Sequence, residues 1–281
     1  MAGGDPTARR PDAPAPVATP GGLAAARVAI PAGCEATVVL VRHGESTWVA
    51  EGRVQGQSNP PLSTLGRTQA RLVAARLAAP LAPPPLPVPD GRPAAVWHSP
   101  LTRAADTAAA IAEAWNPCLD RIADERLREI GQGAWEGLTG VEVKARYADL
   151  RRGWLIDPVH VHAPGGEPLP DVAERAASLA TDLLRRLAGS TPAHGEHARP
   201  APSPPWAIVV AHEGLLRVLL IALLRLPLES FWQFPLGLCA ISVVDVRNGR
   251  PSLRAHNLLD HLAEMGPTAV LDATVDRGGG L

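Results

Sequence analysis

Two histidines in this 281-residue chain stand at the ends of apolar runs, where packing alone gives them little to do. The run Val38-Val39-Leu40-Val41 leads straight into Arg42-His43-Gly44, and Trp206-Ala207-Ile208-Val209-Val210-Ala211 leads into His212. Runs of this kind predict strands covered on both faces, as in a parallel sheet under helices. Ligands of such sheets gather at the carboxyl ends of the strands. An imidazole beside a guanidinium there suits capture of an anion. Arg103, just after Ser99-Pro100, and a carboxylate from the glycine-punctuated stretch Leu127 to Gly137 extend the set, either Glu129 or Glu136. Each has a plainer reading taken alone. Arg42-His43-Gly44 also describes a polar strand end with a turn glycine, Arg103 a surface partner of Asp106 one turn later, and either glutamate a surface acid.

The elements that must position these residues follow from pattern. A first strand is expected from Ala36 to Val41, then a Gly/Asn/Pro-rich loop through Pro61. Ser63 or Thr64 would cap a helix to about Ala79 with Leu65, Leu72, Val73 and Leu77 on one face, and Pro80 to Pro93 reads as an extended surface connection. Ala94 to His98 predicts a second strand. Ser99 and Pro100 predict a helix start that puts Arg103 in the first turn, where the positive helix end favours a nearby anion. Further on, the pattern predicts a helix over 141–155 and a helix from an Asp171 cap to Gly189. After the strand that ends at Ala211 come a helix from Leu215 to Leu226, a strand from Leu238 to Val246, an Asn248-Gly249 turn and a partner strand from Ser252 to Asn257. His160 and His162 alternate in a loop, with no carboxylate or thiol at a spacing that would complete a metal site.

Length and composition allow a full-sized α/β core. Residues 1–34 read as a disordered Pro/Ala-rich tail, 35–264 as the folded domain with Pro-rich loops at 80–93 and 190–205, and 265–281 as a flexible tail. The formal net charge is -1 with acids and bases interleaved, so no basic face advertises nucleic acid or anionic membrane. The apolar runs fall short of the roughly 18 residues of a membrane span. Three widely spaced cysteines suggest neither a disulfide framework nor a zinc site. The N-terminus lacks the apolar core of a secretory signal, and Asp5 and Asp12 sit poorly with a transit peptide, which leaves a cytoplasmic address as the expectation. Oligomeric state is left open.

Several segments in order resemble the histidine phosphatase superfamily, the phosphoglycerate-mutase-like proteins, over about residues 36–262. They are Arg42-His43-Gly44-Glu45-Ser46-Thr47-Trp48, Gly52-Arg53-x-Gln55-Gly56, Pro61-Leu62-Ser63-x-x-Gly66-x-x-Gln69-Ala70, Ser99-x-Leu101-x-Arg103-Ala104-x-x-Thr107-Ala108, Leu127-x-Glu129 with Trp135-Glu136-Gly137, Pro164-Gly165-Gly166-Glu167, and Ala211-His212. The resemblance implies a three-layer α/β/α sandwich with a mostly parallel central sheet and a small helical or loop cap insertion at about 138–167, the region of substrate specificity. It implies a phosphoryl-transfer enzyme without metal or cofactor, acting on a small phosphorylated substrate. His43 would be the nucleophile, Glu129 the acid, and Arg42, Arg103 and His212 the clamp on the phosphoryl oxygens. Ser46, Arg53, Gln55 and Gly56 would contribute to substrate binding. Guanidinium forks suit two oxygens at once, and nearby cations keep an imidazole neutral and nucleophilic.

The chain departs from the family's pattern at Val49, where asparagine is usual, and at Leu238 and Ala240, where Asn and Ser are frequent. Glu213 stands where glycine or alanine is common and is expected to point away from the substrate. The phosphatase branch is favoured. Mutases of the family carry Asn at the position of Val49 and a small hydroxyl residue at that of Gln55, and their acid-bearing loop does not read Trp-Glu-Gly. A phosphoglycerate mutase dependent on 2,3-bisphosphoglycerate is the alternative. A non-catalytic phosphate-binding module is the third reading, disfavoured because none of the five central residues is missing.

Overall fold

One mixed sheet of six strands, in the order β3-β2-β4-β1-β5-β6, carries everything that follows. The computed structural model describes residues 26–115, 118–189 and 203–266. At the centre lie β1 (Ala36–Arg42) and β4 (Trp206–Ala211), buried along their whole length. They run parallel with Arg42 opposite Ala211, so His43 and His212 leave neighbouring strands at the same level. On the far side of β4, β2 (Val96–His98) is also parallel and pairs with the short edge strand β3 (Arg121–Ala123). Two antiparallel strands, β5 (Ile241–Arg247) and β6 (Arg250–Leu258), close the other edge. The sheet is therefore mostly parallel.

Alternation along β1 explains the layers. Val38 and Leu40 enter one core with α6 (Leu169–Gly189) and α7 (Glu213–Leu224), whereas Val39 and Val41 enter a second with α2 (Thr64–Ala78) and α3 (Thr102–Trp115). Each of these side chains contributes about 1.5–3 kcal/mol by leaving water. A strand that feeds two cores cannot slip by one residue without exchanging both sets. The position of His43 is fixed accordingly. Between β3 and α6 lies the cap insertion, with α4 (Gly140–Arg146) and α5 (Ala148–Ile156). Trp154 of α5 packs edge-on against Phe231 and Trp232, which ties the insertion to the segment between α7 and β5.

Several boundaries differ from expectation. The helix expected over 141–155 is two helices that meet at Tyr147, whose backbone (ψ 36) leaves the helical region. The loop after His43 contains a four-residue helix, α1 (Thr47–Ala50), capped by Ser46. Helix α3 starts at Thr102 rather than after Ser99, α6 starts at Leu169 with Asp171 inside its first turn, and α7 starts at Glu213 because His212 occupies the cap position. The segment 80–93 is not extended: it doubles back, with Leu86 N–H donating to Pro80 O at 2.8 Å and Leu86 buried in the second core. Residues 26–34, grouped with the tail by composition, lie against the body through buried Val28 and Cys34 and a bond from Ala29 N–H to Thr181. Strand β5 begins at Ile241, three residues later than expected, because Cys239 takes a left-handed backbone (φ 56) and breaks the run. Asn248 and Gly249 both have positive φ, as the two-residue hairpin requires. Most of the expected loop at 190–205, with His194 and His197, and the tail beyond 266 lie outside the described residues.

Candidate active site

His43 sits at the end of β1, 1% exposed, and its tautomer is set by the backbone. Nδ1 lies 2.7 Å from its own neighbour's carbonyl, Gly44 O, so Nδ1 carries the proton and donates. Nε2 keeps its lone pair. Burial first, then the charges of Arg103 and Arg42, hold the imidazole well below the usual histidine range, so it is neutral at physiological pH. Gly44 is a glycine for packing reasons. A Cβ there would lie 2.5 Å from Gly66 O in the first turn of α2, a contact no side chain tolerates.

Arg103 meets that lone pair. Its Nε–H donates to His43 Nε2 at 3.2 Å, while its two terminal nitrogens donate to Ser58 O at 2.8 Å and Gly56 O at 2.9 Å. It is fully buried, which overturns the surface pairing with Asp106, and desolvation lowers its pKa to about 10, still charged at neutral pH. The carbonyls that hold it are themselves held by Glu136. That carboxylate accepts from the backbone N–H groups of Gln57, Ser58 and Gln132 and from the Ser58 hydroxyl. Gly56, at φ +49, has no room for a side chain beside the Glu136 carboxylate. The Trp-Glu-Gly motif thus positions an arginine from another part of the chain.

Glu129, 4% exposed, reaches the start of α7. Its oxygens accept from the N–H groups of Ile130 at 2.9 Å, Gly214 at 3.2 Å and Leu215 at 3.0 Å. Burial raises its pKa, and these donors together with Arg103 work against the rise. Arg175 on α6 clamps the same loop: it donates to the carbonyls of Arg126, Arg128 and Glu129 and forms a two-pronged pair with Glu167, at 2.7 and 2.8 Å. Sequence reasoning missed Arg175. An arginine next to Glu174 on an amphipathic helix reads as a solvated surface charge.

Arg42 lies against Glu213. Its terminal nitrogen NH1 is 2.7 Å from Glu213 Oε2 and donates to Leu236 O at 2.6 Å. Glu213 also pairs with Arg217. The expectation that Glu213 points away is therefore corrected. Placed two residues past the end of β4, it faces the arginine that ends β1 and pairs with it. Glu213 fixes one arm of Arg42, and Arg42 Nε is buried without a hydrogen-bond partner among the described residues. His212 stands beside His43, ring centroids 5.0 Å apart, with Nε2 2.8 Å from Ser99 Oγ and Nδ1 buried without a partner among the described residues. Burial, Arg103 and His43 push its pKa well down.

The structure thus brings His43, Arg42, Arg103, Glu129 and His212 to the carboxyl ends of β1 and β4. Of the expected binding residues, Gly56 contributes its carbonyl to Arg103, and Ser46 donates to Gln55 Oε1 at 2.6 Å while capping α1. Arg53 is turned to the surface, bonded to Glu51 and Gly137 O. Val49 N–H donates to the Ser46 cap, its side chain half-buried. His160 bonds to Asp157, and no group of three metal-binding side chains occurs among the described residues. No described helix is long and apolar enough to cross a membrane.

A parallel-sheet site that holds a neutral imidazole among guanidinium groups defines a phosphoryl-transfer class, and the comparisons name the family. Residues 38–259 match the histidine phosphatase superfamily (branch 1), and the chain belongs to it. It is 33% identical over 227 residues, 81% of its length and 94% of the relative's, to phosphoserine phosphatase 1 of Hydrogenobacter thermophilus. It is 34% identical over 194 residues to glucosyl-3-phosphoglycerate phosphatase of Mycolicibacterium vanbaalenii, covering 69% of this chain and 76% of that one. The solved mycobacterial glucosyl-3-phosphoglycerate phosphatase in complex with VO3 superposes with a TM-score of 0.65 at 30% identity, covering 79% of this chain and 99% of that one.

Proposed function

We propose that this chain is a metal-independent phosphomonoester hydrolase acting through a phosphohistidine on His43 Nε2, with a small phosphorylated metabolite as substrate. The observation that carries the reading is the unprotonated Nε2, which accepts from Arg103, opposite an Nδ1–H fixed on Gly44 O and close to Arg42 and His212. A phosphoryl group offers only acceptor oxygens. It would satisfy the unpartnered Arg42 Nε and draw the Arg103 Nε–H off the nucleophile.

The steps balance. Nε2 attacks phosphorus, the bond to the leaving oxygen breaks, and Glu129 delivers its proton to that oxygen. Water then attacks the phosphohistidine, Glu129 recovers a proton from it, and His43 returns with inorganic phosphate released. Two guanidinium groups and one imidazole supply fixed donors for the equatorial oxygens, the positions where preorganised charge matters most. Burial raises the pKa of Glu129, as an alternating acid and base requires.

Turnover of p-nitrophenyl phosphate in excess chelator tests this. Activity that persists in chelator and vanishes in His43→Ala supports it, and metal-dependent activity or an active His43→Ala overturns it. Adding 3-phosphoglycerate with a trace of bisphosphoglycerate separates hydrolase from mutase, since only a mutase yields the 2-phospho isomer.

A further inference from the structure

The Ser99 hydroxyl lies against the ring of His212, at the end of β4. The ring has two polar atoms. Nε2 is 2.8 Å from Ser99 Oγ, and Nδ1 is buried with no partner among the described residues. His212 is neutral in its buried setting, so it bears one proton only. With that proton on Nε2, the ring would donate to Ser99 and turn a bare lone pair toward the anion site, which repels phosphoryl oxygens. With it on Nδ1, the ring donates to the anion and accepts from Ser99.

The Ser99 hydroxyl decides between the two. Its oxygen already accepts the Leu101 N–H at 3.2 Å, and among the described residues its own proton has no acceptor other than His212 Nε2. The Nε2-protonated form leaves that hydroxyl proton unmet in a fully buried place, and Ser99 is 0% exposed. The Nδ1-protonated form satisfies the Ser99 hydroxyl and Nε2 and leaves one ring donor for an incoming phosphoryl oxygen, where the other form leaves both a hydroxyl donor and a ring acceptor unmet. The helix start explains why Ser99 is free to do this: α3 begins at Thr102, with the Leu101 carbonyl accepting its first bonds, so the hydroxyl is not consumed as a full helix cap.

We infer that Ser99 is a positioning residue that locks His212 as its Nδ1–H tautomer, making a neutral histidine a hydrogen-bond donor to the phosphoryl oxygens. The inference rests on the phosphatase reading for its purpose, but not for its test. His43 and His212 would then share one tautomer for opposite uses: His43 spends its Nδ1–H on Gly44 O to bare a nucleophile, and His212 spends its Nε2 on Ser99 to free a donor.

The test is nitrogen NMR of the full chain labelled with 15N-histidine, without ligand near pH 7, with His212 assigned by comparison with His212→Gln. Protonated and bare ring nitrogens have well-separated shifts. The expected result is a protonated Nδ1 and a bare Nε2 at His212 in the native protein, with the proton redistributed toward Nε2 in Ser99→Ala and the native pattern kept in Ser99→Thr. A protonated Nε2 in the native protein overturns the inference even if Ser99→Ala does not fold. So does a folded Ser99→Ala with the native pattern. Kinetically, Ser99→Ala should lose about tenfold or more in kcat/KM, as removal of one buried donor does, and Ser99→Thr should recover most of it. If His43→Ala proves active, the phosphatase reading fails while the tautomer assignment stands or falls on the spectra alone.

Discussion

Replacing Arg103 by lysine keeps the charge and removes the fork. In the native protein the guanidinium makes three bonds from a fully buried position, to His43 Nε2, Ser58 O and Gly56 O. A lysine ammonium can serve one of these directions, so at least two charge-assisted bonds disappear, each about 1.5–3 kcal/mol. Part of that falls on stability, because at least one of the two carbonyls loses its donor. The part that falls on catalysis is the loss of a fixed donor for charge that grows in the transition state, about 2.7–4 kcal/mol or 10²–10³ in kcat. KM should move much less, since the interaction strengthens after binding. Burial that lowers the arginine to about 10 would lower a lysine as well, from a starting value of about 10.4. Residual Arg103→Lys activity should therefore fall further as pH rises. The assay is steady-state hydrolysis of p-nitrophenyl phosphate from pH 5.5 to 9, with circular dichroism to confirm folding. A folded Arg103→Lys retaining a tenth or more of native kcat refutes the assignment of Arg103 to the phosphoryl clamp.

Paired kinetics on two substrates should show Glu129→Gln losing about 10²–10³ in kcat/KM on an alkyl phosphate and far less in kcat/KM on p-nitrophenyl phosphate, whose leaving oxygen needs no proton. The comparison uses kcat/KM because it reports transfer to His43 and not the later hydrolysis that Glu129 also serves. Glu213→Ala leaves Arg42 and Arg217 without their shared carboxylate, both largely buried, so thermal melting should report a loss of about 3 kcal/mol and KM for the phosphoester should rise as Arg42 loses its anchor. His261 is lowered by burial to about 4 in the fold against 6.5 unfolded. Its contribution is whole above pH 6.5 and is lost as pH falls toward 4, about 3 kcal/mol in all. The stability difference between native protein and His261→Gln, from urea midpoints at pH 7, 5.5 and 4.5, should shift in that direction by about 2.4 kcal/mol across that range.

Much of this arrangement was legible because burial on both faces writes itself as an unbroken apolar run. Strands β1 and β4 announced themselves that way, and the polar residues that ended the runs, His43 and His212, were conspicuous for it. The cap of α2 was equally readable, since Ser63 accepts the Gly66 N–H as expected. Strand β3 was not, because three residues at a sheet edge with outward side chains carry no apolar pattern. Nor was the support around the site. Glu136 and Arg175 act on backbone carbonyls and amides brought together by folding, and no local spacing encodes such partners. The misreading of Glu213 has a similar origin. Repulsion from an anionic substrate argues for turning it away, but the pairing with Arg42 and Arg217 that decides its direction depends on the parallel register of β1 and β4. Arg53 sits in a recognisable motif, yet Glu51 and the Gly137 carbonyl hold it at the surface.

The central claim is that His43 carries the phosphoryl group between its two owners. Rapid mixing of the protein with a labelled phosphomonoester, followed by an alkaline denaturing quench and mass spectrometry of the peptides, measures that directly. The account predicts an acid-labile, base-stable phosphate on the peptide containing His43, formed at least as fast as turnover and absent from His43→Ala. Turnover with no covalent phosphate at any time, or with phosphate on another residue, would contradict it.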